Sequence, residues 1–113
     1  MNKRSLGKEY EEMTVAFLEG KGYHIIDRNY FCKYGEIDII AKESDSVVFV
    51  EVKYRKNGKM GIPETAVDYN KRVHIKNTAI NYLVEKYGTD EISCRFDVVA
   101  IMGRQIHLIR DAF

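Results

Sequence analysis

Two cysteines, one proline and a net charge of only +1 define what this 113-residue chain has little of. Cys32 and Cys94 stand far apart, and no C-x-x-C pair exists, so a thiolate zinc site is not expected. A secreted disulfide scaffold is not expected at this size either. The reading left is two free, mostly buried thiols in a reducing compartment. The single proline is Pro63, and no Pro/Gly-rich linker, internal repeat or low-complexity tract divides the chain. One domain over residues 1–113 follows as the expectation. No run approaches the roughly 20 apolar residues of a membrane-spanning helix, so a membrane is not an expected partner. The basic N-terminus lacks the apolar segment of a signal peptide, and the expected location is cytoplasmic. Lys and Arg total 18 against 17 Asp and Glu, so bulk charge does not mark a nucleic-acid binder. Such a surface would have to come from uneven distribution.

The distribution is uneven. Lys53, Arg55, Lys56 and Lys59 form one basic segment, Lys71, Arg72 and Lys76 a second, and Glu9, Glu11 and Glu12 an acidic one. Apolar residues make up 45% and charged residues 31%, a globular balance that argues against disorder. Leu6, Tyr10, Met13 and Phe17 recur at three- and four-residue steps and predict a helix from Ser5 to Gly20. A short strand is expected over Tyr23–Ile26. After a basic loop from Arg55 to Pro63, the stripe Tyr69, Val73, Ile80, Leu83 and Tyr87 predicts a helix over Glu64–Tyr87, ended by Gly88. Strands are expected over Cys94–Met102 and Gln105–Ile109. The order predicts an α/β fold of sheet and helices.

The middle of the chain carries the chemistry. Glu36–Ala41 and Val47–Tyr54 are rich in Ile, Val and Phe around a polar Lys42–Ser46 turn, the pattern of a β-hairpin. Ile37, Ile39, Val48, Val50 and Val52 are assigned to one face, and Ile40, Val47 and Phe49 to the other. Strands apolar on both faces belong in the middle of a sheet covered on two sides. Glu36, Asp38, Glu51 and Lys53 are assigned to the second face. If Glu43 faces Ser46, every opposed pair of residue numbers sums to 89, which sets Asp38 against Glu51 and Glu36 against Lys53. A slip of one residue would undo this.

Two carboxylates opposed in an apolar sheet repel and are costly to desolvate. A retained proton on one of them, neutralisation by Lys53, or a divalent cation would each relieve the strain. Oxygen ligands suit Mg²⁺ or Mn²⁺. Such an ion polarises a phosphoryl oxygen and activates water, and a neighbouring lysine stabilises charge developing on the phosphate. The competing reading is an ordinary surface cross-strand ion-pair set, against which stands the apolar density around these charges.

Gly35-Glu36-Ile37-Asp38-Ile39-Ile40, followed by Val48-Phe49-Val50-Glu51-Val52-Lys53, resembles the core of the PD-(D/E)XK nuclease superfamily. Ile37 stands where the motif has its proline. More narrowly, the chain resembles the YraN-type bacterial family, regarded as relatives of archaeal Holliday-junction resolvases. That likeness runs from Leu6-Gly7 and Glu11, through Gly22-Tyr23, to Lys71, Arg95–Val99 and Ala112-Phe113. It implies a restriction-endonuclease-like fold, a central mixed β-sheet flanked by helices. It also implies metal ligation by Asp38, Glu51 and the Val52 carbonyl, with Lys53 as catalytic lysine and Glu11 approaching from the first helix. DNA is the implied partner, in branched or flapped form, and a homodimer would match the two-fold symmetry of such substrates.

Arg55, Lys56 and Lys59 are candidates for phosphate contact, as are Lys71 and Arg72. His24, His74 and His107 lack ligand spacing. Asp97, beside Arg95, reads as a structural salt bridge or hydrogen bond. Two functions stay open: a metal-dependent DNA endonuclease, and a non-catalytic nucleic-acid-binding or protein-interaction module on the same fold.

Overall fold

A computed structural model describes residues 3–55 and 68–113 of the chain. Its elements run α1 (Lys3–Gly20), β1 (His24–Cys32), β2 (Gly35–Glu43), β3 (Ser46–Arg55), α2 (Tyr69–Tyr87), β4 (Cys94–Met102) and β5 (Gln105–Ile109). The strands form one mixed sheet in the order β1-β2-β3-β4-β5. Only β3 and β4 are parallel, and the crossover between them carries α2. This is an α/β arrangement consistent with a restriction-endonuclease-like fold. No described helix is long and apolar enough to cross a membrane.

Each sheet face has its own core. On one, Ile40, Val47, Phe49 and Val98 pack against Ile75, Ala79, Tyr82 and Leu83 of α2. On the other, Ile39, Val48, Val50, Val99 and Ile101 pack with Leu18 of α1 and with Tyr23. Each such side chain contributes about 1.5–3 kcal/mol when fully buried, so two-sided burial pins the hairpin in the centre. Because both faces of β2 and β3 are buried, register is strongly specified there. The observed pairs run from Glu43↔Ser46 to Ile39↔Val50, all summing to 89 as the hairpin predicts.

The structure corrects four expectations. The strand after α1 is nine residues long and pairs along β2, whereas the sequence pattern predicts strand only over Tyr23–Ile26. Polar Asp27, Arg28 and Asn29 interrupt its apolar pattern. The buried face of α2 is Ile75, Thr78, Ala79, Tyr82 and Leu83, whereas the predicted stripe members Tyr69, Val73 and Ile80 are exposed. Asp68 caps α2 by accepting from the Lys71 amide, and Gly88 closes it in the left-handed conformation; the predicted start at 64–67 lies outside the described residues. Cys94 is exposed and Cys32 half-buried, so the two free thiols are not core residues.

The fourth correction concerns faces. Ile37 lies in the α2-side core and Ile39 in the α1-side core, although alternation would put them together. Strand β2 therefore breaks its alternation at Asp38, one residue beyond the last β2–β3 pair. Just before the break, Gly35 holds φ 150, and a Cβ there would meet Thr78 Oγ1 at 3.2 Å and His74 Cβ at 3.5 Å. Gly35→Ala should cost about 1–2 kcal/mol through backbone strain and crowding of α2. Urea unfolding measures it, and a stability unchanged from wild type would contradict the packing described.

Candidate functional site

The site forms where β2 and β3 part. Beyond Ile39↔Val50 the ladder stops, and the Val52 amide donates 2.9 Å to Asp38 Oδ2. A side chain thus takes a hydrogen bond at the point where strand pairing ends, which holds the Asp38 carboxyl in the gap. The Glu51 carboxyl stands within hydrogen-bonding reach of it. The opposed carboxylates read from the hairpin are therefore brought together, by convergence across a split and not by continued pairing.

The electrostatics follow from this placement. Burial, reinforced by Glu51, pushes the Asp38 carboxyl up to about 8; the Val52 amide pulls the other way without prevailing. Glu51 is only 6% exposed, and Lys71 Nζ of α2 stands 2.9 Å from its Oε2. Beside this ion pair, Glu51 Oε2 is buried with no further hydrogen-bond partner among the described residues. Burial alone would depress the Lys71 ammonium, but Glu51 beside it outweighs this and raises it. Lys53 lies within reach of Lys71 as well. Two carboxylates and two lysines thus meet at one point.

A cleft of about 1040 Å³ opens beside Asp38, walled by Lys8, Tyr10 and Glu11 of α1, Arg28 of β1 and Val52 of β3. Tyr10 and Tyr54 stack across it with ring centroids 4.1 Å apart, tying α1 to β3. Thr14 is fully buried and donates to the Tyr10 carbonyl at 2.8 Å, one turn earlier in α1.

The other predicted site residues fare differently. Glu11 lines the cleft with Asp38, but its carboxylate accepts from Arg28 Nε at 3.1 Å and Asn29 Nδ2 at 3.0 Å. Arg28 also holds Glu12 at 2.5 Å. Glu36 lines the cleft too; its backbone pairs with Phe31 of β1, and the β2–β3 ladder ends before it could face Lys53. Arg72 places its guanidinium 5.5 Å from the centroid of the Phe113 ring. The Arg55 side chain and all of Lys56 and Lys59 lie outside the described residues. Asp97 is the centre of a structural network, as read: it accepts from Tyr23 Oη, Arg95 Nε and the Asp111 amide.

The donor set fits a hard divalent ion. One buried carboxylate oxygen of Glu51 has no hydrogen-bond partner among the described residues, and a second acid, Asp38, stands beside it at the edge of the cleft, a pair of oxygen donors that Mg²⁺ or Mn²⁺ would suit. Among the described residues no group of three His, Cys, Asp or Glu gathers. The protein would thus supply Asp38, Glu51 and main-chain oxygen, and water the rest, which is how Mg²⁺ is commonly held.

The profile of the "Uncharacterised protein family UPF0102" matches residues 10–101. A UPF0102 protein of Lachnoclostridium phytofermentans is 45% identical over 113 residues, covering 100% of this chain and 96% of its own length. One of Syntrophus aciditrophicus is 47% identical over 95% of this chain and 87% of its own. One of Caldicellulosiruptor saccharolyticus is 44% identical with full coverage of both.

Proposed function

The chain belongs to the uncharacterised protein family UPF0102, and because that kinship names no chemistry we propose its function from the site: a divalent-metal-dependent endonuclease that hydrolyses phosphodiester bonds in DNA, with branched or flapped structures as preferred substrates. The observation carrying this reading is the convergence of the Asp38 and Glu51 carboxyls where β2 and β3 separate, with Lys53 on the same strand. Asp38, Glu51 and the Val52 carbonyl would hold the ion. When bound, it would supply a Lewis acid and a water of lowered pKa.

The chain's own residues supply the remainder. The Val52 amide fixes the Asp38 carboxyl, so the acid needs no reorganisation when its partner arrives. The apolar core on both sides of β3 keeps Glu51 dry, which strengthens every charge interaction at the site. Lys53 sets a cation against negative charge that grows on the phosphate. The stacked Tyr10 and Tyr54 present an aromatic wall to the cleft, and Lys8 brings positive charge to its rim, while Arg28 is held by Glu11 and Glu12. The basic side chains Lys56, Lys59 and Arg72 are candidates for contact with the polymer backbone in this proposal.

The test is a panel of linear, single-stranded, flapped and four-way DNAs incubated with Mg²⁺ or Mn²⁺. At least one should be nicked, and Lys53→Ala should lower the rate by at least about 10²-fold, the usual cost of a lost charge-stabilising donor. Every substrate left intact by folded wild-type protein would refute the reading.

One observation favours a second reading. Lys71 already faces Glu51, so the carboxylates can be regarded as internally neutralised, serving a binding module without catalysis. The near-zero net charge leans the same way. The two readings part on whether an ion binds between the acids.

A further inference from the structure

Lys71 occupies a place that helix stability does not explain. It is the third residue of α2, and a cation in the first turn opposes the helix dipole. From there its side chain reaches the central strand β3 and Glu51.

The pair it makes is unlike the structural ion pair of this fold. Asp97 is fully buried and receives Arg95 Nε at 3.1 Å, Tyr23 Oη at 2.7 Å and the Asp111 amide at 2.9 Å. Such a carboxylate is saturated with directed donors. Glu51 Oε2 is equally withdrawn from water, yet has one lysine at ion-pair distance and no further hydrogen-bond partner among the described residues. The Lys71 side chain is itself 46% exposed, so it can swing away without being unpacked. A buried carboxylate oxygen held by one half-exposed lysine and no other donor is an exchangeable pair.

Formal charge supplies the second half. Once Asp38 gives up its proton to take the ion, Asp38 and Glu51 against Lys53 and Lys71 sum to zero. A divalent ion added to that group leaves two surplus positive charges, and a polyanionic phosphodiester backbone is the class of ligand that balances them.

We propose that Lys71 is a second substrate-contacting lysine of the reaction centre, held on Glu51 while the ion is absent and released toward a backbone phosphate when the ion takes Glu51. The inference rests on the metal-site reading above. It adds that ion and lysine exclude one another at Glu51, and that ion binding readies the site for the phosphate.

The test uses Lys71→Gln and Lys71→Arg in the full chain. Mn²⁺ affinity is measured without DNA, by the electron paramagnetic resonance of free Mn²⁺. Lys71→Gln should bind Mn²⁺ about tenfold tighter than wild type, because no cation has to be displaced. DNA affinity is then measured with Ca²⁺ in place of Mg²⁺, across a salt series. Lys71→Gln should weaken binding and lower the slope of log affinity against log salt by about one, with Lys71→Arg restoring both. A lysine that merely braces Glu51 would give the opposite first result, weaker Mn²⁺ binding on removal. Unchanged or weaker Mn²⁺ affinity in Lys71→Gln, while wild type binds, overturns the exchange and leaves the metal site standing. Absence of Mn²⁺ binding in both proteins overturns the exchange and the metal site together.

Discussion

Asp38→Asn is expected to lower metal-dependent cleavage by at least about 10³-fold while making the metal-free protein more stable at pH 8. The activity loss follows from removing one of two acidic ligands, which carry most of the ion's affinity and place it against the phosphate. The stability gain follows from the same burial. An amide oxygen can still accept from the Val52 amide, but it neither repels Glu51 nor has to be desolvated as a charge. The sign can be checked by linkage. In the folded chain Asp38 is raised to about 8 from an ordinary 3.8, so the folded state holds a proton that the unfolded chain releases. Its unfavourable contribution is absent below about pH 4, grows as pH rises through the window, and is complete above about pH 8. At about 1.4 kcal/mol per pH unit the limit is a few kcal/mol, reduced by relaxation around Lys71. Wild type in chelator should thus lose stability from pH 5 to pH 8 relative to Asp38→Asn. Parallel pH profiles for the two proteins in urea unfolding would contradict the account of Asp38.

Asp97→Ala is expected to have the largest effect on stability of any single change at a polar residue. Its carboxylate ties β4 to Tyr23, to Arg95 and to the Asp111 amide near the C-terminus. Removing it leaves the Tyr23 hydroxyl and the Asp111 amide without their acceptor and takes from the largely buried Arg95 guanidinium its buried counter-charge. Breaking one side of a buried ion pair costs about 3–5 kcal/mol. The lower end is expected because Arg95 keeps Glu43 at 3.0 Å. Against the roughly 5–15 kcal/mol of a typical domain, that brings the chain close to unfolding. Asp97→Asn, which keeps an acceptor of the same shape, should cost less than half as much. The denaturant midpoints of the two variants measure this. A loss below about 1 kcal/mol in the alanine variant would show that the network is not the fastening described.

These two acids also mark where sequence suffices. Asp97 beside Arg95 could be read as structural from a single strand, because the partner sits two residues away on the same face. The β2–β3 register was legible because both faces of the hairpin are apolar and its turn is short, so only one pairing buries everything. What no alternation rule contains is the break at Asp38. There Ile37 and Ile39 part to opposite cores, and the side chain enters the split that pairing alone would have closed.

The errors at α2 and β1 have physical causes too. Helix α2 carries two apolar stripes. The one that packs includes Thr78 and Ala79, whose small side chains let the helix approach the sheet but give a weak hydrophobic signal. The louder residues Tyr69, Val73 and Ile80 face outward. Strand β1 loses its pattern at Asp27–Asn29 because Arg28 and Asn29 answer Glu11 and Glu12 across the cleft. The Lys71–Glu51 contact spans a crossover, and its only trace in the sequence is a lysine opposing the dipole of its own helix.

The central claim is that Asp38 and Glu51 share one cation, and the most direct measurement is a crystal of the wild-type protein soaked in Mn²⁺ and recorded at the manganese absorption edge. The account predicts one anomalous peak within coordination distance of both carboxylates, with the Lys71 ammonium moved off Glu51. A well-ordered site with no peak between the acids, and Lys71 still in place against Glu51, would contradict it.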